Sequence, residues 1–516
     1  MKTHSKLIAT FLIISGCSGG QYDTEYLPPA TVNYMVEEEQ ADFNTEEYDR
    51  IYENEFLDVL KNPLSTFSID VDAASYSNSR RFISQGQLPP KDAVRIEEFI
   101  NYFTYDYEAP QNEHPFSIHT EISDCPWNTQ NKLLHIGLQG KRMQTENIPE
   151  NNLVFLLDVS GSMNDPNKLP LLKSSFHLLL EQLRDNDRIA IVVYAGAAGQ
   201  ILPSTSCDNK EKIIQAINDL QAGGSTSGGE GIQLAYKIAE ENFKKEGNNR
   251  IILATDGDFN VGVSSDGELV RLIEKKRETG IYLSILGFGS GNYKDSKMEK
   301  LADHGNGNNY YIDNLFEAKK VLVSEMGGTL LTIAKDVKIQ IEFNPTKVYQ
   351  YRLIGYENRL LKNEDFEDDT KDAGELGAGH SVTALYEIMT KEQDKDETKG
   401  VDYKYQTTNI SPDAYSSTEI ATIRFRYKNP NDTTTSNLIE QAILDQNIAL
   451  DSTSIDYKFS ATVAEFGLLL RDSKFKGNST YDHVIATAND SKGDDNEGYR
   501  AEFIKLVKAA KDLDRK

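Results

Sequence analysis

The chain is short of cysteine, of paired histidines and of positive charge, and each shortage excludes something. Its 516 residues hold three cysteines, Cys17, Cys125 and Cys207, too few for a disulfide framework at this size. Spacing leaves open whether Cys125 and Cys207 pair. The eight histidines show no H-E-x-x-H spacing, and neither a Gly-x-Ser-x-Gly elbow nor a phosphate-cradling loop with a lysine occurs. Zinc-peptidase, α/β-hydrolase and P-loop readings therefore fall away. With 55 Lys and Arg against 81 Asp and Glu, the net charge is −26. That balance argues against nucleic acid or an anionic membrane face as a partner, since both reward basic residues. Long apolar runs are missing too: Leu7–Ile14 is too short to anchor by spanning a bilayer, and no other run approaches that length.

What is present centres on Leu153-Val-Phe-Leu-Leu157, an unbroken apolar run that ends in Asp158-Val-Ser160-Gly-Ser162. The run has the pattern of a strand buried on both faces, and an amphipathic stretch from Lys168 to Arg184 follows it. Ligands in open α/β sheets bind just outside the carboxyl ends of strands, where these oxygens lie. Gly223-Gly-Ser-Thr226 is a glycine-rich turn before a second amphipathic stretch, and Arg250–Thr255 is another buried strand ending in Asp256-Gly257. Three segments thus deliver Asp158, Ser160, Ser162, Thr226 and Asp256, all oxygen donors. An all-oxygen set suits Mg²⁺, with Mn²⁺ or Ca²⁺ as hard alternatives, and does not suit zinc.

This ordered set resembles the metal-ion-dependent adhesion site of the von Willebrand factor type A domain, over roughly Asn151 to Thr329. Phe67–Tyr76, Pro89–Glu98, Tyr194–Gly199 and Arg352–Arg359 extend the likeness to the bacterial YfbK-like lipoproteins. The resemblance implies that the two serines and the threonine coordinate the cation directly or through water, with both aspartates mostly behind them. Neutral hydroxyls leave a divalent ion electrophilic, so an Asp or Glu of a protein partner becomes its natural last ligand. The resemblance also bears on the N-terminus. Lys2, Lys6 and the apolar core lead to Ser15-Gly16-Cys17, which looks like a lipobox, and in that family Cys17 is acylated. The implied location is the bacterial cell envelope, with Ser18 a weak pointer to the outer membrane.

The organisation expected is an α/β doubly wound, mainly parallel sheet inserted beside a β-sandwich, with N- and C-terminal helical segments. Residues 1–17 are a signal peptide and 18–62 an acidic flexible tether. Residues 63–148 hold helices then strands, 149–332 form the type A domain, 333–430 are β-rich and 431–516 helical. The reasons are local. Ile96, Phe99, Ile100 and Phe103 share a helical face, and Val337-Lys-Ile-Gln-Ile-Glu-Phe343 alternates like a half-exposed strand. Strands at 116–138 are expected to pair with strands beyond 330 in one interrupted sandwich.

Three features are set aside. Asp256-Gly-Asp258-Phe-Asn260 starts like a calcium loop but has Val261 where the turn glycine belongs. Asp70-Val-Asp72 lacks the hydroxyl of an aspartyl phosphatase, and Asp72 is expected to cap the next helix. His304 is expected at a helix end. No motif residue is an evident nucleophile or general base, so the chemistry is binding rather than catalysis. The expected function is partner capture through the metal and a partner carboxylate. The alternative is an envelope scaffold in which the metal only stabilises the fold, and a metal-dependent hydrolase is the least supported reading. The helix at about Phe316–Leu331, leading into the β region, is placed to act as a switch.

Overall fold

The computed structural model describes residues 45–143, 148–224, 228–257, 259, 266–325, 331–391, 405, 409–430, 434–446 and 448–515. Cys17, the tether as far as residue 44, and Thr226 lie outside them. Strands β1 (Leu57–Asp58) and β2 (Leu64–Ser68) come first, then helices α1 (Ala74–Ser84) and α2 (Ile96–Asn101), then β3 (Phe116–Cys125) and β4 (Asn128–Gly140).

The central domain runs through β5 (Asn151–Asp158), α3 (Leu169–Gln182), β6 (Arg188–Ala195), β7 (Ala197–Ser206), α4 (Lys210–Asn218), α5 (Gly228–Glu241) and β8 (Asn248–Thr255). It continues with α6 (Asp266–Arg277), β9 (Ile281–Phe288), α7 (Asp295–His304), β10 (Asn309–Ile312) and α8 (Leu315–Lys319). Its sheet has the order β10-β9-β8-β5-β6-β7, parallel except for the edge strand β7. Alternate β5 residues serve opposite faces. Leu153, Phe155 and Leu157 pack with α3 and α4, whereas Val154 and Leu156 pack with α5 and α6. The chain leaves β5 toward β6 and returns on its other side as β8, which places the ends of β5 and β8 at a topological switch point.

After α8 the chain makes a π-helical turn over Lys320–Glu325. The switch helix expected over 316–331 is thus a short α-helix plus this turn, and residues 326–330 lie outside the described part. Then come β11 (Thr332–Phe343), β12 (Val348–Ile354), β13 (Gly374–Gly377), β14 (Ser381–Thr390), β15 (Glu419–Lys428) and β16 (Ser436–Leu444). One antiparallel sheet has the order β1-β12-β14-β4-β3, and the other runs β13-β11-β15-β16 with β2 also on β11. Leu134, Ile136 and Leu138 of β4 meet Val337, Ile339, Ile341 and Phe343 of β11 in the shared core. The interrupted sandwich is therefore formed, with β4 paired to β14 across the inserted domain. Helices α1, α2, α9 (Ile455–Leu470), α10 (Tyr481–Asp490) and α11 (Tyr499–Asp514) share a core that also takes Trp127, Leu133 and Leu385 from the back of the first sheet. Cys125 and Cys207 are free and buried in separate cores. Among the described residues no helix is long and apolar enough to cross a membrane.

Three expected boundaries change. Residues 45–62, expected in the tether, are docked: Thr45 and Glu47 amides donate to Gly291 and Tyr293 carbonyls, Glu46 pairs with Arg81 at 2.8 Å, and β1 joins β12. Acidic side chains there serve as docking groups. The region 63–148 begins with strand β2, whose apolar Leu64 and Phe67 are spaced by three and mimic a helix. The stretch 431–516 begins with β16, paired to β15, whose exposed face carries Leu438, Glu440, Ala442 and Leu444 and so breaks the apolar-in, polar-out alternation that marks a strand.

Candidate metal site

The Asp158 loop is held by three backbone bonds to two neighbouring segments. Val159 N donates to Tyr194 O at 3.2 Å, Gly161 N to Gly224 O at 3.1 Å, and Gly223 N to Val159 O at 2.7 Å. The described part of the glycine-rich turn therefore runs against this loop, two residues before Thr226. Asp158 Oδ1 accepts the Ser160 amide at 2.8 Å, the local bond that folds the turn. The Ser160 and Ser162 hydroxyls lie 2.9 Å apart, with Ser160 buried and Ser162 exposed. Behind them sit Asp158 and Asp256, 0% and 1% exposed. The structure thus brings together four of the five expected residues, Asp158, Ser160, Ser162 and Asp256.

The cleft fits a hard cation. Asp256 Oδ1 is buried with no hydrogen-bond partner, a desolvated acceptor that costs stability unless something compensates it. Burial pushes the Asp158 carboxyl up to about 6; its bonds to Ser160 oppose the rise and the Asp256 charge adds to it. The two neutral hydroxyls and the two buried acids form an all-oxygen donor set of the kind a hard divalent cation takes.

Asp256 is aimed by the turn after β8. Gly257 has φ +107° and donates to Thr255 Oγ1 at 3.2 Å, and a Cβ there would lie 2.5 Å from Tyr293 Cα. Gly257→Ala is expected to cost about 1–3 kcal/mol through backbone strain alone, more with the clash. It is also expected to weaken divalent binding. Chemical unfolding with chelator and metal titration measure the two effects separately.

Sequence reasoning missed Lys168. It is the residue immediately before α3, four residues before Leu172, and its Nζ donates to Asp256 Oδ2 at 3.1 Å and to Ser162 O at 3.0 Å. That spacing from Leu172 was the available signal. Also missed was a second acidic cluster, where oxygens of Asp70, Glu98 and Glu299 lie within 4.8 Å of one another. Arg95 reaches Glu299 at 2.8 Å and Glu98 at 3.3 Å, and Arg359 reaches Asp70 and Glu299 at 3.2 Å. These arginines fill the cluster, so it is an ion-pair joint between α7 and the flanks. Asp72 belongs to it: it caps no helix, and its Oδ1 accepts the Asn309 amide at 2.9 Å. His304 does end α7, 3.0 Å from Glu274.

Comparison with known proteins agrees with this architecture. The von Willebrand factor type A domain model matches residues 152–324. A model described as von Willebrand factor matches 42–135, and one described as uncharacterized protein YfbK, C-terminal, matches 328–513. Inter-alpha-trypsin inhibitor heavy chain H3 of Bos taurus is 26% identical over 265 residues, 47% of this chain and 29% of that one. A solved structure, von Willebrand factor type A from Catenulispora acidiphila, is 16% identical, covers 76% of this chain and 90% of its own, and has a TM-score of 0.41. Domains of this type commonly bind divalent metal and often mediate protein interactions. Uncharacterized protein YfbK of Escherichia coli (strain K12) is 44% identical over 477 residues, 91% of this chain and 82% of the relative. On that span the chain belongs to the YfbK family, and its inserted α/β domain is a von Willebrand factor type A domain.

Proposed function

We propose that this chain is a lipid-anchored protein of the bacterial cell envelope that captures a protein partner through a divalent cation. Ser160, Ser162 and Thr226 would hold the ion, with Asp158 and Asp256 behind them. One observation carries the reading: the Ser160 and Ser162 hydroxyls lie 2.9 Å apart beside the buried carboxylates of Asp158 and Asp256. When bound, Mg²⁺ (or Mn²⁺ or Ca²⁺) offers an anionic oxygen an open coordination position, which a partner's Asp or Glu side chain fills. Asp158 keeps the Ser160 amide folded toward the cleft, and exposed Ser162 sets the rim against which the partner closes. Cys17 supplies the anchor and the acidic chain after it the reach.

Calorimetry on the intact chain is expected to show one divalent site that Asp158→Ala abolishes. Crosslinking in cells is expected to lose the same neighbours on chelation and in Asp158→Ala. No Mg²⁺ or Mn²⁺ binding, or capture unchanged in both tests, rejects the reading. If Ser160→Ala lowers stability and leaves capture intact, the metal serves the fold alone.

A further inference from the structure

We propose that Lys168 is a resident counter-cation of the metal cleft, which ties its loops together without a divalent ion and weakens the ion's binding by competing for Asp256. The inference rests on the cation-site reading above and adds how that site is tuned.

Lysine is almost never buried without a partner, yet Lys168 is 5% exposed. Its polar contacts are Ser162 O at 3.0 Å, Asp256 Oδ2 at 3.1 Å and the exposed Asp165 Oδ2 at 3.7 Å. Ser162 belongs to the loop after β5 and Asp256 ends β8. The ammonium therefore joins the two loops that a cation in the cleft would join.

The path of the side chain is built as well. At the end of β9, Gly289 takes φ +78°, and a Cβ there would overlap Cε, Cγ and Cδ of Lys168. The Tyr311 hydroxyl donates to the Gly289 carbonyl, so this floor is fixed from the opposite side. The groove thus holds the stem and directs its charge inward.

The charge count gives the consequence. Asp158 and Asp256 supply two negative charges at the floor, and one ammonium leaves one uncompensated. A divalent ion would bring two positive charges beside that ammonium in a poorly screened cleft. The two cations oppose each other, and Asp165 offers the ammonium a solvent-facing place to go.

The test titrates Mn²⁺ into the full chain and into Lys168→Met, which keeps the stem and removes the charge. Expected is a dissociation constant lowered about tenfold or more. With chelator present, the variant should melt below the wild type and gain more from Mn²⁺. Equal affinities, or weaker binding by the variant, overturn the proposal and leave the metal site standing. No binding by either protein removes the site reading itself. If Lys168→Met does not fold, Asp165→Asn takes its place. Losing the outer partner should weaken Mn²⁺ binding about threefold, and unchanged affinity there also overturns the proposal.

Discussion

Replacing Arg80 by alanine is expected to destabilise the protein by about 3–5 kcal/mol, because it strands acidic groups that water cannot reach. Arg80 lies on α1 and is 3% exposed. Its Nε donates to Asp313 at 2.8 Å, while Nη2 meets Asp313 at 2.5 Å and Glu317 at 2.6 Å. Nη1 donates to the Tyr102 hydroxyl at 2.9 Å and lies 3.7 Å from Glu502. Asp313 and Glu317 flank the start of α8, the last helix of the inserted domain, and Glu502 lies on α11. One guanidinium therefore clamps three regions far apart in sequence, and the fork of a carboxylate-binding arginine is what permits it. Arg80→Lys should recover only part of the loss, since a point charge cannot bridge the same oxygens. Urea unfolding followed by circular dichroism measures it, and a loss below about 1 kcal/mol would place these acids in the range of surface ion pairs.

Glu97→Gln should stabilise the protein at alkaline pH and do little at acidic pH. Glu97 is fully buried, and neither carboxylate oxygen has a hydrogen-bond partner. Burial raises its carboxyl to about 7; the Glu357 charge adds to the rise and Arg471 opposes it. For an acid raised on folding, the folded state binds more protons than the unfolded chain. The associated stability is complete below about 4.5, the unfolded value, and is lost as pH rises through about 7. Glu299, raised by burial to about 8, adds a trend of the same sign. The advantage of Glu97→Gln should therefore grow by about 2–3 kcal/mol between pH 5 and pH 8. Denaturant midpoints at four pH values with chelator give the curve. A constant difference would falsify the assignment.

The strand and turn that bring Asp158, Ser160 and Ser162 together were legible because the signal is local and repeated in separate segments. An apolar run ending in Asp158-x-Ser160-x-Ser162 dictates both a buried strand and an oxygen site at its end. The β11 alternation was legible, since Val337, Ile339, Ile341 and Phe343 all enter one core, but the expected half-exposed face was not found: Lys338 and Gln340 on the other face are buried too. What stayed hidden depends on distant partners. Glu46 looks like solvated charge until Arg81 lies beside it, and the partner of Asp70 is invisible until the fold brings Arg359 to it. Arg95 and Arg359 lie inside stretches that resemble the YfbK family, and in the folded protein those stretches carry the joint between the inserted domain and its flanks. Lys168 escaped because a lysine just before a helix looks solvated, and only the fold shows where that ammonium ends.

The interrupted sandwich sets an order on synthesis. Strands β2 and β4 leave the ribosome long before β11 and β14, their partners. By then the whole α/β domain has emerged and can close on its own parallel sheet. The first half of the sandwich meanwhile presents unpaired edges. Its completion brings both ends of the insertion to one turn, where Gly379 N meets Lys141 O and Ala378 N meets Leu331 O. Pairings this distant in sequence are expected to form after the local contacts of the α/β domain, which leaves the chain most open to misassembly before β14 arrives.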